Sequence, residues 1–178
     1  MTLRTPLADA HERAGATFTD FAGWQMPVRY TSDLAEHQAV RSAAGLFDLS
    51  HMGEIRVSGP DAGAYLDSAF ACRLSNLEIG QAKYSLLLNA AGGIIDDIIV
   101  YRLGDDEFLA VANAGNRLAA VAAMQERVGG FAVAVSDESE ETALIAVQGP
   151  AAQRIVEAAG LESEPLSGLK YYRIMEAV

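Results

Sequence analysis

The sequence predicts an α+β fold of two intertwined subdomains, with largely antiparallel sheets and flanking helices. Three observations carry this expectation. Apolar, β-branched segments crowd between residues 55 and 113, with Gly, Asp and Asn clusters between them, which is hairpin spacing and not βαβ alternation. Helix-like segments stand before and after this block. The stretch Ile55-Arg56-Val57-Ser58-Gly59-Pro60-Asp61-Ala62 is echoed by Ile145-Ala146-Val147-Gln148-Gly149-Pro150-Ala151-Ala152, and each leads into a helical segment. The echo reads either as ordinary turn chemistry recurring by chance or as a duplicated strand-turn-helix unit. Duplication divides the chain into residues 1–53 with 137–178 as parts of one subdomain and residues 54–136 as the other.

Each element has a local reason. Thr5-Pro6 caps and presets a short first helix that Gly15 can close. A second helix is expected from Ser32 to Ala44, with Asp33 and Glu36 in its first turn, Arg41 near its end and Gly45 after it. Residues 20–30, aromatic-rich and without clean periodicity, are expected as loop or mixed structure. Strands follow at Ile55–Ser58, Tyr84–Asn89, Ile94–Leu103 and Phe108–Asn113. Ala91-Gly92-Gly93 and Gly104-Asp105-Asp106 serve as turns, so residues 84–113 read as a three-stranded meander. A helix from Asn116 to Arg127 comes next, then strands at Phe131–Val135 and Ala143–Val147.

Composition narrows the function. A chain of 178 residues, about half apolar, can bury a core. With 24 acidic against 13 basic residues, the formal charge of −11 opposes nucleic-acid binding and docking on anionic membranes. No apolar run reaches the roughly 20 residues that span a bilayer. Residues 1–6 lack the pattern of a targeting peptide, and the single Cys72 requires no oxidising compartment, so a cytoplasmic location is the expectation. Cys72 reads as structural. No phosphate-binding loop or dinucleotide fingerprint is present.

The sharpest chemical feature is Gly92-Gly93-Ile94-Ile95-Asp96-Asp97-Ile98-Ile99-Val100-Tyr101, where two carboxylates interrupt a β-branched strand. Burying an ionised carboxylate is costly unless donors satisfy it. Alternation turns Asp96 and Asp97 to opposite faces, so they make a poor acid-base pair and a poor shared metal site. Asp97 shares a face with Ile95, Ile99 and Tyr101; Asp96 goes with Ile94, Ile98 and Val100. Either both cap the hairpin or meet solvent, or one of them enters a pocket. Other residues are open in the same way. His51 is a structural imidazole or an acid-base group, and Met52 is core filler or a support for a flat ring. Tyr84 is a core aromatic with a polar tip, and Asn113 caps the following helix or binds a ligand.

Taken in order, several blocks resemble the aminomethyltransferase family, the T proteins of the glycine cleavage system. They are Arg4-Thr5-Pro6-Leu7, Asp20 to Val28, Gly45 to Glu54, Gly92 to Tyr101, Asn113-Ala114-Gly115-Asn116-Arg117 and Ala143 to Pro150. The resemblance implies a folate-binding fold and transfer of a methylene group from the aminomethyl-lipoyl arm of the H protein to tetrahydrofolate, with release of ammonia and no metal. It implies that Asp97 is the catalytic residue and that Met52, Tyr84, Asn113 and Tyr171 contact the folate. On that reading Asp97→Asn nearly abolishes transfer and Asp96→Asn matters much less. The chain departs from the family at Ala71-Cys72-Arg73 and at Lys83. It also ends before the Thr-Gly-Tyr-Thr-Gly-Glu block, so it reads as the N-terminal part of a protein about twice its length, too short to bind folate tightly alone. Two other functions fit such a module: the folate-binding part of a flavin-dependent dimethylglycine or sarcosine dehydrogenase, and a non-catalytic folate-binding paralogue. With Met1 directly before the first block, no upstream flavin domain is expected.

Overall fold

The computed structural model describes residues 2–160 and 165–176. The chain divides into two compact units. One comprises the described residues of 1–51, 143–169 and 175–178, the other residues 52–142 and 170–174.

The first unit opens with β1 (Leu3–Arg4), α1 (Ala8–Arg13), β2 (Thr17–Phe21) and β3 (Trp24–Arg29). Residues 20–30, expected as loop or mixed structure, are thus mainly a hairpin, antiparallel to β2, with β1 added in parallel on the other side of β3. Its two-residue turn is Ala22-Gly23, both at positive φ, the backbone that a tight hairpin demands. Helix α2 (Asp33–Ser42) begins where expected. The Ser32 hydroxyl accepts from Ala35 N at 3.2 Å, and the Glu36 carboxylate takes Tyr30 N and Thr31 N at 2.8 and 2.6 Å. The first bond satisfies a donor that the helix start leaves free, and the other two tie the incoming chain to the first turn. Strand β4 (Gly45–Asp48) follows.

The second unit is built on a sheet of five strands: β5 (Gly53–Ser58), β6 (Ala82–Leu88), β7 (Ile94–Gly104), β8 (Glu107–Ala112) and β9 (Ala134–Asp137), in the order β6-β7-β8-β5-β9. Every neighbouring pair in it is antiparallel. The expected meander is β6-β7-β8. Helices α3 (Ala62–Ala69) and α4 (Arg117–Glu126) contribute Tyr65, Leu66, Ala120 and Met124 to a core shared with Ile55, Val57, Ile98, Val100, Phe108 and Ala110. One sheet face therefore carries the core. The buried Tyr65 hydroxyl donates to the Met124 carbonyl at 2.6 Å, so its polar tip is satisfied. The last strand begins at Ala134 and not at Phe131, because the Phe131 ring packs edge-on against Tyr65, 5.9 Å between centroids.

The chain then returns to the first unit with β10 (Ile145–Gln148), antiparallel to β4, and α5 (Ala152–Ala159). The sequence echo has a structural counterpart, since β5-α3 and β10-α5 turn in the same way, one in each unit. Ala62 N donates to Gly59 O at 2.9 Å, and Ala152 N donates to Gly149 O at 3.0 Å. Asp61 N reaches the Ala132 carbonyl and Ala151 N the Ala43 carbonyl, and those carbonyls press on the two glycines. A Cβ would stand 2.4 Å from Ala132 O at Gly59 and 2.6 Å from Ala43 O at Gly149, at φ values of 136° and 121°. Both positions therefore require glycine. Gly59→Ala should cost about 2 kcal/mol through steric strain and unfavourable φ, read as a lower urea midpoint; an unchanged midpoint would show that the close approach relaxes freely.

Candidate functional site

Strand β7 places its two aspartates in opposite environments. Asp96 lies with Ile98 and Val100 on the core face and is 1 % exposed. Its Oδ2 accepts from Asn113 N at 2.9 Å; its Oδ1 accepts from Asn113 Nδ2 at 3.0 Å and Asn116 Nδ2 at 2.7 Å. The chain supplies these donors by leaving β8 at Asn113 and making one 3₁₀ turn, Ala114–Asn116, before α4. The buried carboxylate that the strand must tolerate is thus Asp96, and two asparagines satisfy it from within the protein.

Asp97 is exposed on the other face. Asn113 Nδ2 donates to its Oδ1 at 2.9 Å and to its carbonyl at 3.1 Å, and the Tyr84 hydroxyl donates to its Oδ2 at 3.3 Å. Register explains the grouping. Tyr84 pairs with Ile99, and Ile99 pairs with Val111. Asp97 and Asn113 lie two residues further along the same two strands, so their side chains meet. Loss of hydration, followed by the charge of Asp97, pushes the Tyr84 phenol up, which keeps it a donor. Asn113 therefore holds both carboxylates at once, one buried and one open to solvent. The open one is fixed by two donors and still has lone pairs to offer.

Met52 lies in the bend directly before β5 and is half-buried. Tyr171 is 89 % exposed and its ring meets Tyr172, with centroids 4.5 Å apart. Of the residues singled out from sequence, Asp97, Tyr84 and Asn113 are joined by hydrogen bonds, Met52 stands just before β5, and Tyr171 contacts Tyr172. Tyr172, at φ 56°, accepts from Ala82 N at 2.9 Å and lies close enough to raise the Tyr84 pKa. Sequence reasoning missed Asn116 as the third donor to Asp96, although its spacing of three from Asn113 was visible. His51 is buried, its ring perpendicular to that of Phe21 with centroids 5.4 Å apart, and burial lowers its pKa.

Glu54 also escaped the sequence reading. It is 4 % exposed, neither carboxyl oxygen has a hydrogen-bond partner among the described residues, and burial raises its pKa against the weaker pull of the Arg117 charge. Because the folded pKa lies above the unfolded one, the contribution of this group is most favourable below the unfolded value. It is lost as pH rises through the folded pKa. Glu54→Gln should therefore raise stability at neutral pH by about 1 kcal/mol. Urea titrations should show the gain over wild type shrinking in acid, and a gain independent of pH would count against the buried carboxyl as its source.

The comparisons with known proteins agree on one family. Residues 7–178 match the family model described as the GCVT N-terminal domain. The chain is 57 % identical over 178 residues to an aminomethyltransferase of Cutibacterium acnes, covering 97 % of this chain and 48 % of that protein. It is 55 % identical over 169 residues to an aminomethyltransferase of Saccharopolyspora erythraea, covering 95 % and 46 %. The solved glycine cleavage system aminomethyltransferase T from Bartonella henselae superposes with a TM-score of 0.88 at 42 % identity, over 97 % of this chain and 47 % of that one. A heterotetrameric sarcosine oxidase from Corynebacterium sp. U-96 shares the fold, with a TM-score of 0.58 at 18 % identity over 92 % of this chain and 69 % of that one. The chain spans about half the length of the curated relatives it matches.

Proposed function

The chain belongs to the aminomethyltransferase family, as its N-terminal domain, and we propose that it forms part of the folate site of a protein that moves a methylene group from the aminomethyl-lipoyl H protein to tetrahydrofolate, releasing ammonia. The observation that supports this best is Asp97, an exposed carboxylate held by Tyr84 and Asn113 on the sheet face opposite the core. Methylene transfer to a folate nitrogen builds positive charge there. A carboxylate already fixed by two donors can orient that nitrogen and meet the charge without reorganising. Its free lone pairs suit an N–H donor, and Tyr84 and Met52 offer the ring and the soft thioether that a flat pterin packs against. In this reading Asn113 positions Asp97, Tyr171 is a further folate contact, and the protein works in the cytoplasm. Among the described residues no helix is long and apolar enough to cross a membrane.

The test is ammonia release from aminomethylated H protein by the full-length gene product, with and without tetrahydrofolate. Folate-dependent release is the expected result. Folate binding without release would instead identify a non-catalytic paralogue, and oxidation of dimethylglycine or sarcosine a flavin-linked demethylase. The likeness to sarcosine oxidase is one of fold alone and does not favour the latter. For the isolated chain, calorimetric titration with tetrahydrofolate should show weak binding or none; tight binding would mean that the described half holds the whole site.

A further inference from the structure

The first unit contains a second ordered set of reactive groups that the folate reading does not use. Asp48 is buried, and its Oδ2 accepts from Thr5 Oγ1 at 2.5 Å and contacts His11 Nε2 at 2.8 Å, while its Oδ1 accepts from Ser50 N at 2.9 Å. Burial pushes the Asp48 carboxyl up, but these hydrogen bonds outweigh it and hold it below the usual range. An ionised Asp48 can only accept, so His11 Nε2 must carry the hydrogen. In the neutral imidazole Nδ1 is then an acceptor, and it lies 2.6 Å from the Tyr30 hydroxyl. With His11 neutral, the Tyr30 hydrogen points to Nδ1 and the phenolic oxygen keeps its lone pairs for a further partner.

Those lone pairs have somewhere to act. Tyr30 is 42 % exposed and lines a groove of about 580 Å³ with Val28, Val40, Leu46, Phe47 and His37. The walls are mainly aliphatic and aromatic. The charged residues lining the groove are Asp33 and Glu36, so it disfavours anionic ligands. A hydroxyl, a base within hydrogen-bond reach of it, and a carboxylate orienting the base make up the geometry of an activated nucleophile.

We propose that Tyr30 is an acyl acceptor, with His11 as its base and Asp48 as the positioning residue, and that it takes uncharged esters of short aliphatic acids from the groove. Burial and the nearby carboxylates of Asp48 and Glu36 push the Tyr30 phenol up, so it holds its proton until attack. In the step, Tyr30 Oη bonds to the acyl carbon as its proton passes to His11 Nδ1. The bond from that carbon to the alcohol oxygen then breaks, and the alcohol leaves with the proton returned by His11. The products are O-acyl-Tyr30 and the free alcohol, and nothing is oxidised or reduced.

The probe is p-nitrophenyl butyrate, followed by nitrophenolate release and by mass spectrometry of the digested chain. One butyryl group on Tyr30 is expected, lost in Tyr30→Phe and slowed about 100-fold or more in His11→Asn. Tyr30→Phe leaves the Asp48–His11 pair in place, so its fold is expected to be kept, and wild-type mapping decides the matter even if the His11 variant does not fold. Butyryl groups spread over lysines, with Tyr30 unmodified, would overturn the proposal and leave the three residues as a clamp between α1, β4 and the end of β3.

Discussion

Asp97→Asn in the full-length gene product should lower the kcat of methylene transfer by about 10²- to 10⁴-fold, the range for losing a positioned proton-handling group. The fold should be unaffected, because the side chain is exposed and an amide oxygen can still accept from Tyr84 or Asn113. On the proposed function, what disappears is the negative charge next to the nitrogen that becomes positive. That charge matters more in the transition state than in the bound ground state, so kcat should fall much further than KM for tetrahydrofolate rises. Steady-state kinetics beside a thermal melt gives both readings. A variant with near-normal kcat would remove Asp97 from the chemistry and leave the family resemblance without its central residue.

Asp96→Asn should act in the opposite manner, costing about 3 kcal/mol of stability while turnover per folded molecule falls less than in Asp97→Asn. Three donors converge on the Asp96 carboxylate: the Asn113 backbone N–H and the side-chain amides of Asn113 and Asn116. An amide in its place carries a donor of its own. Either orientation sets N–H against N–H inside the core, where water cannot intervene. Part of the damage should travel, since Asn113 also holds Asp97. Urea unfolding combined with activity normalised to the folded fraction separates the two aspartates. Stability equal to wild type would mean that the asparagines do not depend on the charge of Asp96.

How far these features could be read from sequence differs from element to element. Strands β6, β7 and β8 were legible because turns rich in Gly and Asp separate apolar runs, the middle one β-branched, and α2 because Ser32 and Glu36 cap its start. The β2-β3 hairpin was not. Its turn places Ala22 at φ 52°, a residue that advertises no such conformation, and Pro27 interrupts the strand signal while Trp24 and Met26 alternate into the interior. In the candidate site, alternation separated Asp96 from Asp97 without showing which face was the core. Ile94, on the Asp96 side, is 64 % exposed, so apolar neighbours alone could mislead. The donors to Asp96 come from a turn beyond β8, and only tertiary structure brings that turn over β7. Glu54 was invisible for a related reason: nothing local marks a glutamate whose oxygens both lack donors among the described residues.

The pairing of β4 with β10 joins Asp48 to Ile145, with every strand from β5 to β9 lying between them in the chain. Such a contact cannot nucleate. Closing so long a loop costs conformational entropy before the short ladder returns any enthalpy, so the second unit, most of which is the single run 52–142, has the kinetic advantage of forming from nearer neighbours. Once it has condensed, β5 and β9 share a sheet and the free loop that must be closed is far shorter. The five-stranded sheet thus acts as an internal template for the discontinuous unit. Pulse-labelling hydrogen exchange during refolding should find the amides of β7 and β8 protected before those of β4 and β10.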